Sequence, residues 1–349
     1  MARVLYGVMG NTMGHVARAL AIASRLPAHE FHFIGGGRVP EILRDRYPVF
    51  EVPVARTVYK RHRAAVLGTC RYLAGCVAAA PRVRREIRDL IERWQPTVAI
   101  CDREFFLPPA ARAAGLPCFA VDHSHVLQVC RYPVPPAQFQ AWSLGRLEDA
   151  LFFNRTDHNL VVSFYHPPLK PGGQNELLPP ILRQAAREIQ PRPGDHVFAY
   201  QSTPAFPPLL TALRQLARPV IIYGAGNAPA TTGNLTFKPF DPRAILDDLA
   251  SCAYAVTTAG HNLICEALHF GKPLLCLPVA LNFEQYLNAW QVRALGYGDF
   301  CANSRPTPAD FARFEARLPE FRTAIASKFV DGTDQVIRRV NELIAQPPA

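Results

Sequence analysis

Strand-like and helix-like segments alternate along the whole chain of 349 residues. Apolar stretches such as RVLYGV (3–8), FHFIG (31–35), TVAIC (97–101) and PCFAV (117–121) are separated by segments of helical character. Neighbouring parallel strands can be joined only by a crossover connection, which is usually a helix. The alternation therefore predicts an α/β fold in which helices pack on mostly parallel sheets.

The alternation is interrupted once, at the proline- and glycine-rich stretch YHPPLKPGGQNELLPP (165–180). The chain is also longer than one hydrophobic core usually serves. We therefore predict two Rossmann-like domains that face each other across a cleft. The N-terminal domain covers 1–165, a linker covers 166–194, and the C-terminal domain covers 195–349, with a last helix that can pack back on the first domain.

Local patterns refine the first domain. We predict a third strand at VFEVPV (49–54) and two helices, at about 63–80 and 81–94. The strand order 3-2-1-4-5, which is typical of such sheets, places the first strand beside the fourth, TVAIC. Ligands of these sheets bind beyond the carboxyl ends of the strands, so the cleft between the domains is the expected site.

The composition is that of a packed globular protein, with 49% apolar and 19% charged residues. No run reaches the roughly twenty apolar residues of a transmembrane helix, and the N-terminus lacks the pattern of a signal peptide. The nine cysteines form no C-x-x-C pair, and several lie in apolar strands: Cys101, Cys118, Cys252 and Cys276. We expect buried free thiols and a cytoplasmic protein.

The net charge of +10 points to an acidic partner. Ten Lys and Arg residues lie between Arg56 and Arg93, against only Glu86, Asp89 and Glu92. This region is either a solvated helix surface or a contact for an anionic membrane face or a phosphorylated acceptor. Nucleic acid is not expected as a partner, because no known reader motif accompanies the charge.

The glycines after the first strand, in GVMGNTMGH (7–15), do not form a cofactor loop of a common type. Their spacing is G-x-x-G-x-x-x-G and not the G-x-G-x-x-G of a dinucleotide site, and the Gly-Lys-Ser/Thr of a P-loop is absent. The second strand ends in FIGGG (33–37), which offers no acid to hold an adenosine ribose. We expect neither NAD nor ATP, and no cofactor.

The segment TTAGHNLICEALHFGKP (257–273) has the features of a pyrophosphate site. Gly260 permits close backbone approach, and the helix that begins near His261 presents unpaired N–H groups at its positive end. Asn262 and Glu266 are four residues apart and share one helix face, and a carboxylate suits the vicinal diol of a ribose. Further on, Glu284 and Gln285 open another helix and can bind sugar hydroxyls.

The whole segment GHNLICEALHFGKPLLCLPVALNFEQYLNA (260–289) resembles the donor-binding segment of GT-B glycosyltransferases, in particular the UDP-glycosyltransferases. It is also similar to the lipid-linked N-acetylglucosaminyltransferase of peptidoglycan synthesis. GNTMGHVARALAIA (10–23) resembles the first loop and helix of the same families, and LPPILR (178–183) resembles a little-characterised microbial branch. The resemblance implies a GT-B fold and a UDP-linked nucleotide-sugar donor.

Residue roles follow from that resemblance. It implies that Gly260, His261 and Asn262 meet the donor diphosphate, that Glu266 binds the ribose, and that Glu284 and Gln285 bind the donor sugar. Further donor-side candidates lie in the first loop, after the first strand of the second domain and in the base-binding loop: Gly14, Ser202, Thr203, Phe237 and Lys238. The plant-type enzymes carry histidine where Thr258 falls and tryptophan where His261 falls, so their diphosphate contacts do not transfer unchanged.

Glycosyl transfer to a hydroxyl group needs a base beside the anomeric carbon. His15 follows the first strand, and Asp102 ends the neighbouring fourth strand, so the carboxylate can orient the imidazole. UDP-glycosyltransferases have a histidine and an aspartate in the same two places. We therefore predict His15 as the general base, oriented by Asp102, in a single-displacement reaction that inverts the anomeric carbon.

Two polar motifs of the first domain are assigned to the acceptor side and not to a metal. DRE (102–104) and DHSH (122–125) lack the further oxygen ligands that a metal site needs, and the helix end with His261 can carry the leaving diphosphate. Glu104, His123 and His125 are candidates for acceptor contact, and each could equally be structural.

Two other functions remain open at this stage. A nucleotide-sugar 2-epimerase of GT-B fold would act on the sugar itself and would have no acceptor pocket. A non-catalytic nucleotide-sugar-binding protein would bind the donor without turnover, which the His15–Asp102 pair argues against.

Overall fold

The computed structural model describes residues 1–60, 63–153, 156–201, 207–225 and 228–347. Elements of the first half, in chain order, are β1 (Arg3–Val8), α1 (Met13–Ala23), β2 (Glu30–Ile34), α2 (Arg38–Leu43), β3 (Val49–Phe50), β4 (Tyr59–Lys60), β5 (Arg63–Ala64), α3 (Val66–Trp94), β6 (Val98–Asp102), α4 (Leu107–Ala113), β7 (Cys118–Asp122), α5 (Val126–Val129), α6 (Phe139–Phe152), β8 (His158–Val162) and β9 (Gln174–Leu178). Elements of the second half are α7 (Gln184–Arg187), β10 (Val197–Tyr200), α8 (Pro207–Leu213), β11 (Val220–Tyr223), β12 (Ala230–Thr232), β13 (Leu235–Phe237), α9 (Ala244–Ser251), β14 (Tyr254–Thr257), α10 (His261–His269), β15 (Leu274–Cys276), α11 (Phe283–Ala294), β16 (Gly298–Phe300), α12 (Pro308–Glu315), α13 (Leu318–Lys328) and α14 (Thr333–Ala345).

The first half is built on a parallel sheet with the strand order β3-β2-β1-β6-β7-β8-β9. β1 pairs with β6 in a register that sets Val8 opposite Asp102. The predicted neighbourhood of the first and fourth strands is therefore confirmed. It places the loop after β1 beside the end of β6.

The second half is built on another sheet, in the order β12-β13-β11-β10-β14-β15-β16. Its strands run parallel except for β12, which pairs antiparallel with β13. β10 lies between β11 and β14, so the loops after β10 and β14 open at the same edge of the sheet. The predicted α/β architecture with two sheets is confirmed.

The stretch predicted as a linker, 166–194, contains a strand of the first sheet. β9 pairs in parallel with β8, and His158 lies opposite Gln174. Glu176 of β9 accepts hydrogen bonds from Arg339 on α14 at 2.6–2.9 Å. Proline and glycine dominate the composition of this stretch, but the C-terminal helix and the sheet edge provide partners that the local pattern does not reveal.

A single helix, α3, replaces the two helices predicted at 63–80 and 81–94, and residues 63–64 form the short strand β5. Pro81 lies inside α3. Its missing N–H group weakens the helix locally, but the buried face continues on both sides: Leu73, Cys76, Ala80, Val83, Ile87, Leu90 and Ile91. Packing of that face on the first sheet outweighs the cost of the proline. The predicted third strand is also shorter than 49–54, since β3 ends at Phe50.

The last helix returns to the first half. Val336, Val340 and Leu343 of α14 belong to the same buried cluster as Val4 and Ile22. Neither α3, the longest helix, nor another helix in the described part of the chain has the length and apolar character needed to cross a bilayer.

The two halves also share a buried apolar cluster along one side of their junction. It contains Val126 and Phe164 from the first half and Ile264 and Phe283 from the second. A second contact comes from β5, where the Ala64 N–H donates to the carbonyl of residue 280 at 3.1 Å. The two halves are thus joined by apolar packing and by a backbone hydrogen bond.

Candidate active site

His15 lies on the first turn of α1, directly after the loop that follows β1. Its Nδ1 is 2.7 Å from Oδ1 of Asp102. The backbone fixes this neighbourhood, because the Met9 N–H donates to the Asp102 carbonyl at 2.9 Å. The Asp102 side chain is fully buried, whereas that of His15 is 17% exposed. The structure thus brings the predicted pair together with only the histidine reachable from the junction.

Arg18 completes this pair, and the sequence analysis did not identify it. It follows His15 by three residues on the same helix face and donates to Asp102 Oδ2 from Nε at 2.8 Å and to Oδ1 from Nη2 at 2.9 Å. Burial by itself raises the pKa of Asp102, but Arg18 and His15 outweigh burial and hold the pKa below its ordinary value. A signal was present in the sequence, since Arg18 is a charged residue within the otherwise apolar helix HVARALAIA.

The helices α1 and α10 approach each other end to end across the junction. A Cβ atom added at Gly14 would lie 2.6 Å from Nδ2 of Asn262, so a larger residue there would require the Asn262 side chain to move. Arg18 Nη1 reaches Asn262 Oδ1 at 3.4 Å. The side chain of Asn262 therefore contacts the first half, while its backbone N–H belongs to the first turn of α10.

The N-terminus of α10 is the predicted anion site. Gly260 is its N-cap residue, and a Cβ atom added there would meet no atom of the described residues within 4 Å. The space beside the Cα atom of Gly260 is therefore open, at a helix end whose dipole favours negative charge. Backbone groups can supply this interaction without a cationic side chain.

The side chain of His261 is not in that open space, which corrects the expectation that it carries the leaving diphosphate. Its ring stacks on His123 of the first half, with 3.8 Å between ring centroids, and its Nε2 lies 3.4 Å from Sγ of Cys265. Burial, followed by the neighbouring His123 and Arg18, lowers the pKa of His261 well below its ordinary value. A neutral, enclosed imidazole offers no positive charge to a phosphate.

His123 connects the two halves and is not exposed to an acceptor. Its Nδ1 lies 3.0 Å from the Val162 carbonyl, and its Nε2 lies 2.8 Å from Oδ1 of Asn288. Asn288 is fully buried, and its Nδ2 donates to the carbonyl of residue 259 at 3.1 Å. The sequence analysis missed Asn288, although it lies within the NFEQYLNA motif.

Glu104 and His125 are also internal. The Glu104 carboxylate accepts from the N–H groups of Phe106 at 2.8 Å and Leu107 at 2.5 Å and thus caps α4. Burial raises the pKa of Glu104 to about 7, although these N–H groups lower it.

His125 Nδ1 lies 2.6 Å from Asp122 Oδ2. Burial would lower the pKa of His125, but the Asp122 carboxylate raises it above its ordinary value. Both predicted acceptor contacts are therefore used inside the first half.

Glu266 is buried and forms a bidentate ion pair with Arg183. Arg183 donates from Nε to Oε1 at 2.5 Å and from Nη2 to Oε2 at 2.8 Å. The carboxylate predicted to bind a ribose thus already has a cationic partner. Two ionised oxygens offer about four acceptor positions, so Arg183 leaves some of them unused.

The two residues predicted to bind the donor sugar, Glu284 and Gln285, contact different parts of the protein. Glu284 accepts a hydrogen bond from the Ser124 hydroxyl of the first half at 2.7 Å. The Gln285 side chain folds back on its own loop, where its Oε1 accepts from the Val279 N–H at 2.9 Å. Glu284 alone faces across the junction.

The predicted base-binding residues lie at the end of β13, one strand in from the edge of the second sheet. Phe237 is the last residue of β13, and Lys238 donates to Asp248 Oδ2 at 2.7 Å, an oxygen that also accepts from Tyr223. The Lys238 N–H is used by the Ile222 carbonyl at 2.9 Å. Ser202 and Thr203 lie outside the described residues.

A cavity of about 540 Å³ lies beside the loop between β1 and α1. It is lined by residues of that loop and of the segments that follow β2 and β3: Gly10, Asn11, Gly37, Arg38, Glu41, Val52, Pro53, Val54, Arg56 and Tyr72. Within the ranges that the structure describes, no three His, Cys, Asp or Glu side chains are grouped closely enough to hold a metal ion.

The whole chain superimposes on solved glycosyltransferases. MurG of Acinetobacter baumannii matches with a TM-score of 0.62 at 17% identity, over 98% of this chain and 100% of that one. UGT2 of Phytolacca americana, solved with UDP-2-fluoro-glucose and pterostilbene, matches with a TM-score of 0.71 at 14% identity, over 99% and 100%. A UGT transferase from Siraitia grosvenorii, solved with UDP, matches with a TM-score of 0.69 at 15% identity, over 99% and 100%. The predicted GT-B fold is confirmed.

Two sequence relatives bear the name of a glycosyltransferase. A protein of Methanosarcina acetivorans named "Uncharacterized glycosyltransferase" is 25% identical over 328 residues, which cover 85% of this chain and 82% of that protein. A protein of the same name from Methanosarcina mazei is 23% identical over 342 residues, which cover 87% and 86%. The model of glycosyl transferase family 1 matches residues 2–319. The chain belongs to glycosyl transferase family 1 and is a glycosyltransferase.

The Arg183–Glu266 pair can be tested by removing one partner. Arg183→Met leaves a buried carboxylate without its cation, and we expect the free energy of unfolding to fall by about 3–5 kcal/mol in urea denaturation. The control is Arg243→Met, which removes an exposed arginine 3.5 Å from Asp247, and its loss is expected to stay below about 1 kcal/mol. Equal losses in the two variants would contradict the role of Arg183 as the partner of Glu266.

Proposed function

We propose that the protein is a metal-independent, inverting glycosyltransferase that moves a sugar from a UDP-linked donor to an acceptor hydroxyl, with His15 as the general base. The observation that carries this proposal is the 2.7 Å hydrogen bond between His15 and the buried Asp102, opposite the open N-terminus of α10. A base and an anion site face each other across one junction, which is what transfer from a diphosphate donor needs.

The donor is assigned to the second half. The first-turn N–H groups of α10, with Gly260 beside them, suit the diphosphate. Glu266 offers its remaining acceptor positions to a ribose diol, and Glu284 is placed to accept from sugar hydroxyls. UDP as the nucleotide draws support from two fold relatives, whose structures were solved with UDP or a UDP-sugar. No cofactor enters the reaction, since the nucleotide-sugar is a co-substrate.

The reaction follows from the tautomer that Asp102 selects. An ionised Asp102 at 2.7 Å requires the proton of His15 to lie on Nδ1, so Nε2 keeps its lone pair. Nε2 takes the proton of the acceptor hydroxyl while the hydroxyl oxygen forms a bond to the anomeric carbon. The bond from that carbon to the diphosphate breaks, and the leaving charge is stabilised at the N-terminus of α10. One displacement inverts the anomeric carbon.

The acceptor is assigned to the cavity beside the loop between β1 and α1, the helix that carries His15. Arg38 and Arg56 outnumber the one acidic residue of the lining, Glu41, so the lining is net positive. Tyr72 adds an aromatic face, and the Arg56 guanidinium lies 4.9 Å from the centroid of the Tyr72 ring. A glycan, lipid-linked or small-molecule acceptor can approach His15 from this side.

The function itself is tested by incubating the protein with a panel of nucleotide-sugars and acceptors from a cell extract, and by determining the product configuration by NMR. We expect a UDP-sugar to be consumed and the product anomer to be inverted. A retained configuration contradicts the mechanism. Sugar epimerisation without an acceptor supports the 2-epimerase, and donor binding without turnover supports the non-catalytic alternative.

The roles of the catalytic pair are tested with His15→Ala, which we expect to lower kcat by about 10²–10⁴ with little change in donor affinity. Asp102→Asn should cost less, because Asp102 orients the base and does not take the substrate proton. The control is His166→Ala, which replaces an exposed histidine outside the site. A His15→Ala enzyme with near-normal kcat would show that another group is the base.

Metal independence is a separate prediction. Because backbone N–H groups are proposed to stabilise the leaving diphosphate, activity should be unchanged after dialysis against EDTA. The measurement is the initial rate with and without chelator, followed by addition of Mg²⁺ or Mn²⁺. Loss of activity on chelation and its return with metal would overturn this part of the proposal.

We also propose a cytoplasmic location with contact to the inner membrane face. The nine cysteines, all in described parts of the chain, are free thiols, as a reducing compartment favours. Leu67 at the start of α3 and Leu147 on α6 are 85% and 56% exposed, and Arg71 follows Leu67 by one helical turn. Thr57 donates to Glu148 at 3.0 Å, which brings α6 beside the segment that leads into α3. Leu67 and Arg71 thus share one face of α3, and a mixture of apolar and basic groups of this kind is what membrane contact requires.

Flotation with vesicles tests that contact. Binding to vesicles that contain anionic lipid should weaken at high salt, because the arginines act through screened charge. A Leu67→Ser/Leu147→Ser variant should bind less, while Val330→Ser, which removes another exposed apolar side chain, should bind like the unaltered protein. Absence of salt-sensitive binding would leave the basic region as a solvated helix surface.

A further inference from the structure

Arg18 is an almost fully buried guanidinium at the junction of the two halves, and it belongs to no predicted site. Its side chain is 4% exposed. Nε and Nη2 hold the two oxygens of Asp102, Nη2 also lies 3.2 Å from His15 Nδ1, and Nη1 points to Asn262 Oδ1 at 3.4 Å. One side chain thus touches the predicted base, its carboxylate and the helix of the donor half.

The charges of this group decide the state of His15. A buried carboxylate beside a histidine alone would favour the imidazolium, because a protonated ring neutralises it. With Arg18 present, Asp102 and Arg18 already sum to zero when His15 is neutral. The buried group therefore needs no proton on His15 to be neutral. The aspartate still orients the ring and supports the cation that forms during the reaction.

The geometry also selects the tautomer. Oδ1 of Asp102 accepts from Arg18 Nη2 at 2.9 Å and lies 2.7 Å from His15 Nδ1. Nη2 is a donor in every state, so it has no lone pair with which to accept an Nδ1 proton. Only Asp102 can accept that proton, and Arg18 fixes the position of Asp102 with two parallel hydrogen bonds.

We propose that Arg18 is a positioning residue of the catalytic site, which neutralises Asp102 so that His15 is uncharged before the reaction, and which connects this group to the donor half through Asn262. The inference rests on the proposed role of His15 as the base. It adds that Arg18 acts through charge and not only through packing.

Other charged groups near His15 are limited in the described residues. Asp102 on β6 and Arg18 on α1 contact its ring directly, and His261 on α10 is within electrostatic range but neutral. Asp122, at the end of β7, acts on Arg18 over a longer distance. Removal of Arg18 therefore changes the largest positive charge that acts on His15.

The experiment uses the full chain and measures His15 directly. The titration of its ring is followed by NMR with ¹³C-labelled histidine, assigned with His15→Ala, and the pH dependence of kcat is measured in parallel. The variants are Arg18→Gln, which removes the charge, and Arg18→Lys, which keeps the charge but lacks the two-armed geometry. Arg25→Gln serves as the control, since Arg25 pairs with Asp334 at the surface.

In Arg18→Gln, His15 should hold its proton more tightly. Its titration midpoint and the acidic limb of the pH–rate profile should both move up by about one pH unit or more, and kcat lost at neutral pH should return at higher pH. Arg18→Lys should keep the profile of the unaltered enzyme with lower kcat at every pH, and Arg25→Gln should change neither quantity.

An unchanged NMR midpoint in folded Arg18→Gln overturns this inference, whatever the activity. A shifted midpoint with an unshifted rate profile supports the coupling of Arg18 to His15 but contradicts His15 as the base. If Arg18→Gln does not fold, the His15 titration midpoint in Asp102→Asn provides the test. There the unopposed Arg18 charge should lower the His15 midpoint, and an unchanged or raised midpoint contradicts the proposal.

Discussion

The buried carboxylate of Asp102 is the constraint on which the site depends. It ends a central strand, it has no exposure to solvent, and it must be neutralised where it lies. Its partners, His15 and Arg18, both come from α1, so the start of that helix is fixed against the end of β6. Burying a charge is costly unless it is paired and hydrogen-bonded, and the pairing that meets this cost also gives the His15 imidazole a defined orientation.

The cluster of Asp102, His15 and Arg18 also contacts the second half. Arg18 reaches Asn262, and Gly14 lies so close to the same side chain that a Cβ atom there would displace the asparagine amide. On the far side of His261, the stack on His123 and the buried Asn288 join the halves again. The N-terminus of α10 is therefore held at a fixed position relative to the base. This arrangement suits transfer between a donor on one half and an acceptor on the other, because reacting atoms must be aligned closely.

Several side chains that look like ligands in the sequence make protein contacts instead. Glu266 pairs with Arg183, His261 stacks under His123, and Gln285 folds back on its own loop. A ligand at this junction would meet backbone N–H groups and the unused acceptor positions of carboxylates more than free polar side chains. Burial explains the pattern, since a polar group at a closed junction must find a partner in the protein.

By itself the sequence determined the class of fold, the neighbourhood of the first and fourth strands and the pairing of His15 with Asp102. These follow from local periodicity and from the order of strands in a parallel sheet, which a single chain reveals. Only the tertiary structure decided that Pro81 lies inside a continuous helix and that residues 174–178 join a sheet. It also decided that Arg18 and Arg183 neutralise the two key carboxylates. The partners of these residues lie 83 or 84 positions away along the chain, and such contacts depend on packing that no local pattern encodes.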